Sequence, residues 1–256
     1  VRAPVGLKTG PVKIAVNFGN GPIESNGVNF SANPFITSVT PATGPTGTWV
    51  TVRGGNFGSG TGAVSFAGPN STRIPAASLP NFCTNFWNDT EIIAVIPAGG
   101  VTGLVKVITT ANVSTTDNVS QTFTYNANLP LGPGLCDLNP QISTLPSEVT
   151  LKGDNFGNTK GNSRVQFVDK LSDVKEWGNQ TIKVETPTNT TTGPVVVVRQ
   201  QSVQTGTKCN GTVVNGVCTG TANPLTEPIM SVVNLQSNPM TFTVKPKIVS
   251  VEPTIN

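Results

Sequence analysis

The sequence predicts an all-β chain of tandem β-sandwich domains, and three observations predict it. The stretch PFITSVTPATGPTGTWVTVRGGNFG, Pro34 to Gly58, returns without a gap as PGLCDLNPQISTLPSEVTLKGDNFG, Pro133 to Gly157. Apolar residues recur in short alternating runs punctuated by Gly, Pro and Asn, the pattern of half-buried strands. No segment carries an apolar stripe at the 3.6-residue spacing of a helix. A repeat period of about a hundred residues is a domain period, longer than the 20–50 residues of a solenoid.

In chain order, residues 1–33 read as the C-terminal hairpin of a truncated repeat. Val12, Ile14 and Val16 alternate, a Gly/Asn/Pro turn follows, and a short run ends at Phe30. Residues 34–132 form the first complete domain. Ile36 and Val39 mark its first strand, and Val50 and Val52 its second. GGNFG then turns the chain, because Gly and Asn tolerate positive φ. Val64 and Phe66 mark a further strand. A longer irregular piece holding Asn70 and Cys83 leads to WNDTEIIAVIP (Trp87 to Pro97), and GLVKVIT and QTFTY close the domain as a hairpin. Residues 133–245 repeat this order, with VQF at Val165 for VSF at Val64 and WGNQTIKVETP for WNDTEIIAVIP. The second copy departs after Gln200. From Gly193 to Pro246 is 53 positions, against 30 from Gly103 to Pro133. The extra length, about 201–232, is expected to project as an elongated last hairpin, and extra length on one loop of a repeat often marks a functional face. Residues 246–256 (PKIVSVEPTIN) read as the first strand of a further repeat. Both ends thus fall inside a repeat, and the sequence reads as part of a longer chain or a processed product.

Charged residues make up only 11%, against roughly 25% in an ordinary soluble domain. The net charge of +3 comes from scattered Lys and Arg, so it argues for neither nucleic acid nor anionic lipid. His is absent, which removes the commonest general base and metal ligand. No run approaches the ~18 apolar residues of a membrane span.

Four Cys are present and no C-x-x-C pair, so zinc or thioredoxin-like chemistry is not expected. Cys209 and Cys218 bracket NGTVVNGV, with a turn signal at Asn215-Gly216, and a local disulfide closing a hairpin is the natural reading. Cys83 and Cys136 remain, either paired across the domain junction or present as buried thiols. Spacing alone leaves three connectivities open. Eight N-x-S/T sequons occur, at Asn29, Asn70, Asn88, Asn112, Asn118, Asn179, Asn189 and Asn210. Together with the few charges and even Cys count they point to a secreted glycoprotein.

The repeated blocks P-x-I-x-S-V-x-P, V-x-V-x-G-x-N-F-G, W-x-x-x-x-I-x-V-x-x-P and T-G-P-V-x-V-x-V resemble the IPT/TIG family of immunoglobulin-like domains. The resemblance spans most of the chain, and the first strand of the second copy departs from it, with CDLNPQISTLP adding Cys136. It implies tandem immunoglobulin-like sandwiches in one of three settings: extracellular stalks and contact surfaces, Rel-type transcription factors, or modules beside secreted polysaccharide enzymes. Its motifs specify fold more than function. The short Pro-containing junctions, Tyr125 to Pro133 and Val244 to Pro246, lead us to expect an extended rod.

No catalytic, cofactor-binding or metal site emerges. Glu91, Asp89, Glu148, Asp154, Asp169, Asp173 and Glu176 are the carboxylates nearest to clusters. Asp154 sits by a turn, and the last three are interleaved with Lys170 and Lys175 as in a solvated loop. Trp87 and Trp177, at repeated spacing, are expected to pack between the sheets. The reading is a non-catalytic extracellular structural or adhesion glycoprotein without a cofactor. Its partners would be other copies of itself, other surface proteins or glycans, and not nucleic acid. The alternative is a ligand- or carbohydrate-binding ectodomain of a receptor or secreted enzyme.

Overall fold

The computed structural model describes residues 9–17, 19, 21–222 and 224–247. The strand expected over 246–256 falls almost wholly outside them. The chain is all-β and divides into two compact units, Val1–Leu131 and Gly132–Asn256.

Unit 1 begins with a hairpin of short exposed strands. β1 (Gly10–Val12) pairs with β4 (Val28–Phe30), and β2 (Ala15–Asn17) pairs with β3 (Pro22–Glu24). The alternating run is interrupted at Lys13-Ile14, where Ile14 N donates to Ser25 Oγ at 3.0 Å and Ser25 N donates to Ile14 O at 2.9 Å.

A sandwich follows. Its strands are β5 (Phe35–Thr40), β6 (Thr43–Gly44), β7 (Trp49–Gly55), β8 (Ala63–Ala67), β9 (Arg73–Pro75), β10 (Glu91–Val95), β11 (Gly103–Ile108) and β12 (Gln121–Tyr125). One sheet runs β10-β7-β5 and the other β6-β12-β11-β8-β9. The chain changes sheets between β5 and β6 at the cis Thr40–Pro41 bond. Inward residues of both sheets form one core that includes Val50, Val52, Phe57, Phe66, Ile92 and Phe123, as facing pleated sheets require.

Unit 2 repeats the layout with β13 (Gly134–Asn139), β14 (Ile142–Ser143), β15 (Glu148–Asp154), β16 (Arg164–Phe167), β17 (Lys170–Leu171), β18 (Asp173–Trp177), β19 (Thr181–Glu185) and β20 (Gly193–Cys209). β21 (Thr212–Val214), β22 (Val217–Thr219), β23 (Thr226–Gln236) and β24 (Met240–Val244) complete it. Its sheets run β13-β15-β19-β18 and β14-β24-β20-β16-β17, with β23 on β20. Asn139–Pro140 is cis at the same sheet change. The segment from Asp169 to Glu176, read from sequence as a solvated loop, contains the strand β18. Its charges form a surface ladder with β19: Lys175 contacts Asp173 at 2.6 Å and Glu185 at 3.0 Å, and Lys183 contacts Glu176 at 2.8 Å.

The repeated NFG is more than a turn. Phe57 and Phe156 are 0% exposed and plug the two cores. Their approach explains the invariant first glycine of the block within this chain. A Cβ on Gly54 would lie 1.9 Å from Phe35 O and 2.6 Å from the Phe57 ring, and one on Gly153 1.9 Å from Gly134 O and 2.5 Å from the Phe156 ring. The flanking Asn56 and Asn155 (φ 59° and 61°) and Gly58 and Gly157 (φ 79° and 88°) take left-handed backbone, which Asn and Gly enter most readily.

The tryptophans correct the sequence expectation. Trp87 and Trp177 are half-buried and sit at a sheet edge; Trp87 packs against the core of its sandwich from there, bridging to Ile92, and Trp177 lies on the edge strand β18. The buried aromatic pairs are Phe66 with Phe123 and Phe167 with Phe242, both edge to face.

Candidate functional site

The last hairpin of unit 2 leaves the sandwich. β20 is 17 residues long and β23 11 residues. β20 pairs with β16 only as far as Val198, while its ladder with β23 continues from Val198↔Gln236 to Cys209↔Thr226. Beyond that sandwich strand, β20 and β23 therefore form a two-stranded ribbon. A β-bulge between Gln204 and Gly206 interrupts it. At its tip β21 and β22 make a small hairpin, turned at Asn215 and Gly216 with φ 49° and 78°. That is the Asn-Gly turn whose twist suits adjoining strands. Cys209 and Cys218 are disulfide-bonded with Cα atoms 5.6 Å apart.

The ribbon root is clamped by polar side chains. Arg199 donates through Nη1 to Asn155 O at 2.8 Å and also bonds Asn155 Oδ1 and Gln201 Oε1. Burial lowers the Arg199 pKa from its usual value, and the guanidinium stays charged because that value is so high. Ser163 Oγ accepts from Gln200 N at 3.1 Å, and the Asn238 side chain, 1% exposed, bonds both N and O of Leu135 at 2.8 Å.

Past this root the ribbon buries little. Val232 is 64% exposed, Met230 53% and Ile229 47%, and at the tip Val213, Val214 and Val217 are all above half. The charged residues of the described ribbon beyond Gln200 are Lys208 and Glu227, which face each other across the ladder. An uncharged apolar surface on a projecting element has the composition of a contact site.

Unit 1 has a different feature. On the outer edge of β10, residues 76–90 form no continuous ladder with the strand and pair with it at two isolated bridges, Ala77↔Val95 and Trp87↔Ile92. Here lies a groove of ≈ 560 Å³ lined by Pro75, Leu79, Pro80, Phe86, Trp87 and Ile93 among others. Trp87 Nε1 is buried without an acceptor among the described residues, whereas Trp177 Nε1 donates to Gly157 O at 3.0 Å.

The carboxylates singled out in the sequence do not converge. Arg53 binds Glu91 at 2.9 Å, Asp89 Oδ1 accepts from Gly58 N at 3.0 Å, and Asp154 Oδ1 accepts from Asn179 Nδ2 at 3.0 Å. Asp169 and Asp173 pair with Lys170 and Lys175. Among the described residues no group of His, Cys, Asp or Glu could hold a metal ion. No helix there is long and apolar enough to cross a membrane.

No cysteine is free, and Cys83 and Cys136 are buried, which removes the buried-thiol reading. Of the sequons, Asn29, Asn70, Asn88, Asn112, Asn118 and Asn189 are exposed. Asn179 is half-buried, accepts from Gly157 N through Oδ1 and spends Nδ2 on Asp154. Asn210 spends Nδ2 on Pro224 O at 3.3 Å.

A family model described as the IPT/TIG domain matches residues 34–125 and 137–213. The chain belongs to the IPT/TIG domain family. No curated protein matches it. Among solved structures it is similar to the plexin A4 extracellular region, at 21% identity and TM-score 0.28, covering 64% of this chain and 16% of that one. It is also similar to a surface glycan-binding protein from Prevotella bryantii, at 17% identity and TM-score 0.26, covering 65% and 40%. A third similarity is to the γ-CGTase of alkalophilic Bacillus clarkii, at 15% and 0.29, covering 72% and 27%. The chain spans less than half the length of each. Scores this low carry no argument about activity or ligand.

Proposed function

We propose that this IPT/TIG chain is a non-catalytic segment of an extracellular structural or adhesion glycoprotein, in which the ribbon of the second domain is the contact element. The observation that carries the reading is the ribbon itself: 17- and 11-residue strands continue past the sandwich and present apolar side chains to solvent. A domain that needed only a closed core would end β20 near Val198, where its pairing with β16 stops. Oxidised cysteines support an extracellular setting, as do six sequon asparagines on exposed backbone. We include Asn29, Asn70, Asn88, Asn112, Asn118 and Asn189 as glycan acceptors and set aside Asn179 and Asn210, whose amide nitrogens are committed to hydrogen bonds. With Cys209–Cys218 closed, Cys83 and Cys136 are proposed to pair with each other.

The groove beside Trp87 favours a second reading, a module for an uncharged ligand such as a glycan, which would stack on the partly exposed indole. The two readings separate cleanly. Residues 202–232 can be replaced by Asn-Gly, because Gln201 and Val233 face each other on the ladder and a two-residue turn joins opposed residues. The contact reading expects this variant to melt as the parent does and to lose attachment to cells or fibres of the source. Retained attachment would discard it. Glycan binding abolished by Trp87→Ala would favour the groove.

A further inference from the structure

The ribbon has two long edges, and they are guarded differently. Natural sheet edges are protected by charges, proline or bulges, because an unguarded edge templates further pairing. The outer edge of β20 carries the Gln204/Gly206 bulge. On β23, Glu227 and Pro228 guard the distal end, but from Ile229 to Gln236 the sequence is IMSVVNLQ, with no charge, proline or glycine. Among the described residues β23 pairs with β20 alone, so its other edge is open.

The hydrogen bonds of β20 show which groups that edge presents. Val197 N and O both bond Ser237, on the β23 side, and Gln200 N bonds Ser163, on the opposite side. Odd-numbered residues of β20 up to Val203 therefore turn their backbone groups to β23. Their ladder partners are Leu235, Val233 and Ser231. By alternation, Met230, Val232 and Asn234 direct N–H and C=O to the open side.

We propose that this edge docks onto the same edge of a second copy, antiparallel about a twofold axis at Val232. This names the partner for the contact element above and rests on that reading. A twofold axis normal to the sheet pairs residues of equal parity, so each outward group meets an outward group. In this register Val232 faces Val232 of the second copy, Met230 faces Asn234, and Ile229 faces Leu235. About six backbone bonds form across the axis. Pro228, which lacks an N–H, falls opposite Gln236 and ends the run. No like charges meet, since Lys208 and Glu227 already face each other within each ribbon. The product is a four-stranded sheet, whereas a two-stranded ribbon alone is marginal in water. The contact is small against the ~1,000 Å² of a stable interface, which suits multivalent copies on a surface.

Sedimentation of the 256-residue chain over a concentration series tests this. A reversible monomer–dimer equilibrium is expected, weakened at least tenfold by Val232→Lys and unchanged by Thr207→Lys on β20, with both variants folded by circular dichroism. Val232→Cys is expected to crosslink two copies through residue 232 on mild oxidation, which reports the register directly. A chain monomeric at every concentration, or a dimer indifferent to Val232→Lys, overturns the inference. If the monomeric chain still attaches to source cells or fibres through residues 201–232, this inference fails while the contact reading stands. If the ribbon-deleted chain keeps full attachment, the contact reading itself fails.

Discussion

Domains 1 and 2 are built from one repeated phrase, yet each spends its extra length at a different place. In domain 1, 21 positions separate Phe66 from Trp87, against ten from Phe167 to Trp177. The surplus forms the irregular segment over the β10 edge, with its groove. In domain 2 the corresponding edge is closed by the strand β18, paired along its length with β19 apart from a bulge between Val174 and Glu176, and the surplus lies in the β20–β23 ribbon. Neither surplus disturbs the inward residues. The core of an immunoglobulin-like sandwich is specified by a few alternating positions and the NFG plug, while connections at the rim change length at small entropic cost.

The largest expected effect sharpens what the domains share. Phe57→Ala and Phe156→Ala each remove a fully buried ring and should cost about 3–5 kcal/mol. Each should lower the melting temperature of its own domain, read by calorimetry. Equal and small losses at both positions would mean that the plug is dispensable.

The next effect belongs to domain 2. Reducing Cys209–Cys218, which closes a short loop, should remove about 2–3 kcal/mol of local stability at the ribbon tip. Hydrogen exchange should accelerate over residues 210–226 and stay unchanged in β15 and β19. Native protein should give no reaction with a thiol-alkylating reagent, and non-reducing peptide mapping should return a Cys83–Cys136 peptide. Labelling before reduction would remove the proposed pairing.

A smaller contrast lies in the two indoles. Trp177→Phe gives up the bond to Gly157 O and should cost about 1 kcal/mol. Trp87→Phe gives up no bond among the described residues and should be close to neutral in urea unfolding. The reverse order would show that the bond to Gly157 O is not what Trp177 contributes.

The smallest effects are electrostatic and opposite in sign. In domain 1 the hydrogen bond and charge of Lys106 hold the Asp117 carboxyl below its usual pKa. That contribution is present above the unfolded value and is lost as pH falls through the folded one. In domain 2 the Glu176 carboxylate raises the Lys183 pKa. Its contribution is full below the unfolded value and is lost as pH rises through the folded one. Asp117→Asn should flatten the acid limb of domain 1, and Lys183→Gln the alkaline limb of domain 2, in pH-dependent melts. Both sites are exposed, so the changes should be slight.

The β class, the repeated phrase and the surplus length after Gln200 could be read from the sequence because each is written in local pattern: period-2 alternation, spacing and length. The tryptophans were legible only in part: Trp87 packs against the core of its sandwich, but from the β10 edge. Repeated spacing marks a residue as structural, but alternation does not say whether it faces the core or lies over an edge. Phe57 and Phe156 were missed as core because Gly and Asn around them signal a turn, and a turn residue can fold back into the sandwich. Asp169 to Glu176 looked like a loop because charge masked a strand whose side chains pair along the sheet.

The sequence by itself determined where its own phrase recurs, which residues alternate and where the second copy is longer than the first. The tertiary structure decided which edges stay open, which asparagines have free amide nitrogens, and that β23 presents an uncharged edge from Ile229 to Gln236. Those properties depend on neighbours far apart in sequence, such as Ser163 beside Gln200 and Ser237 beside Val197. Period and composition carry no record of such contacts, because pairing register is fixed only when the strands meet.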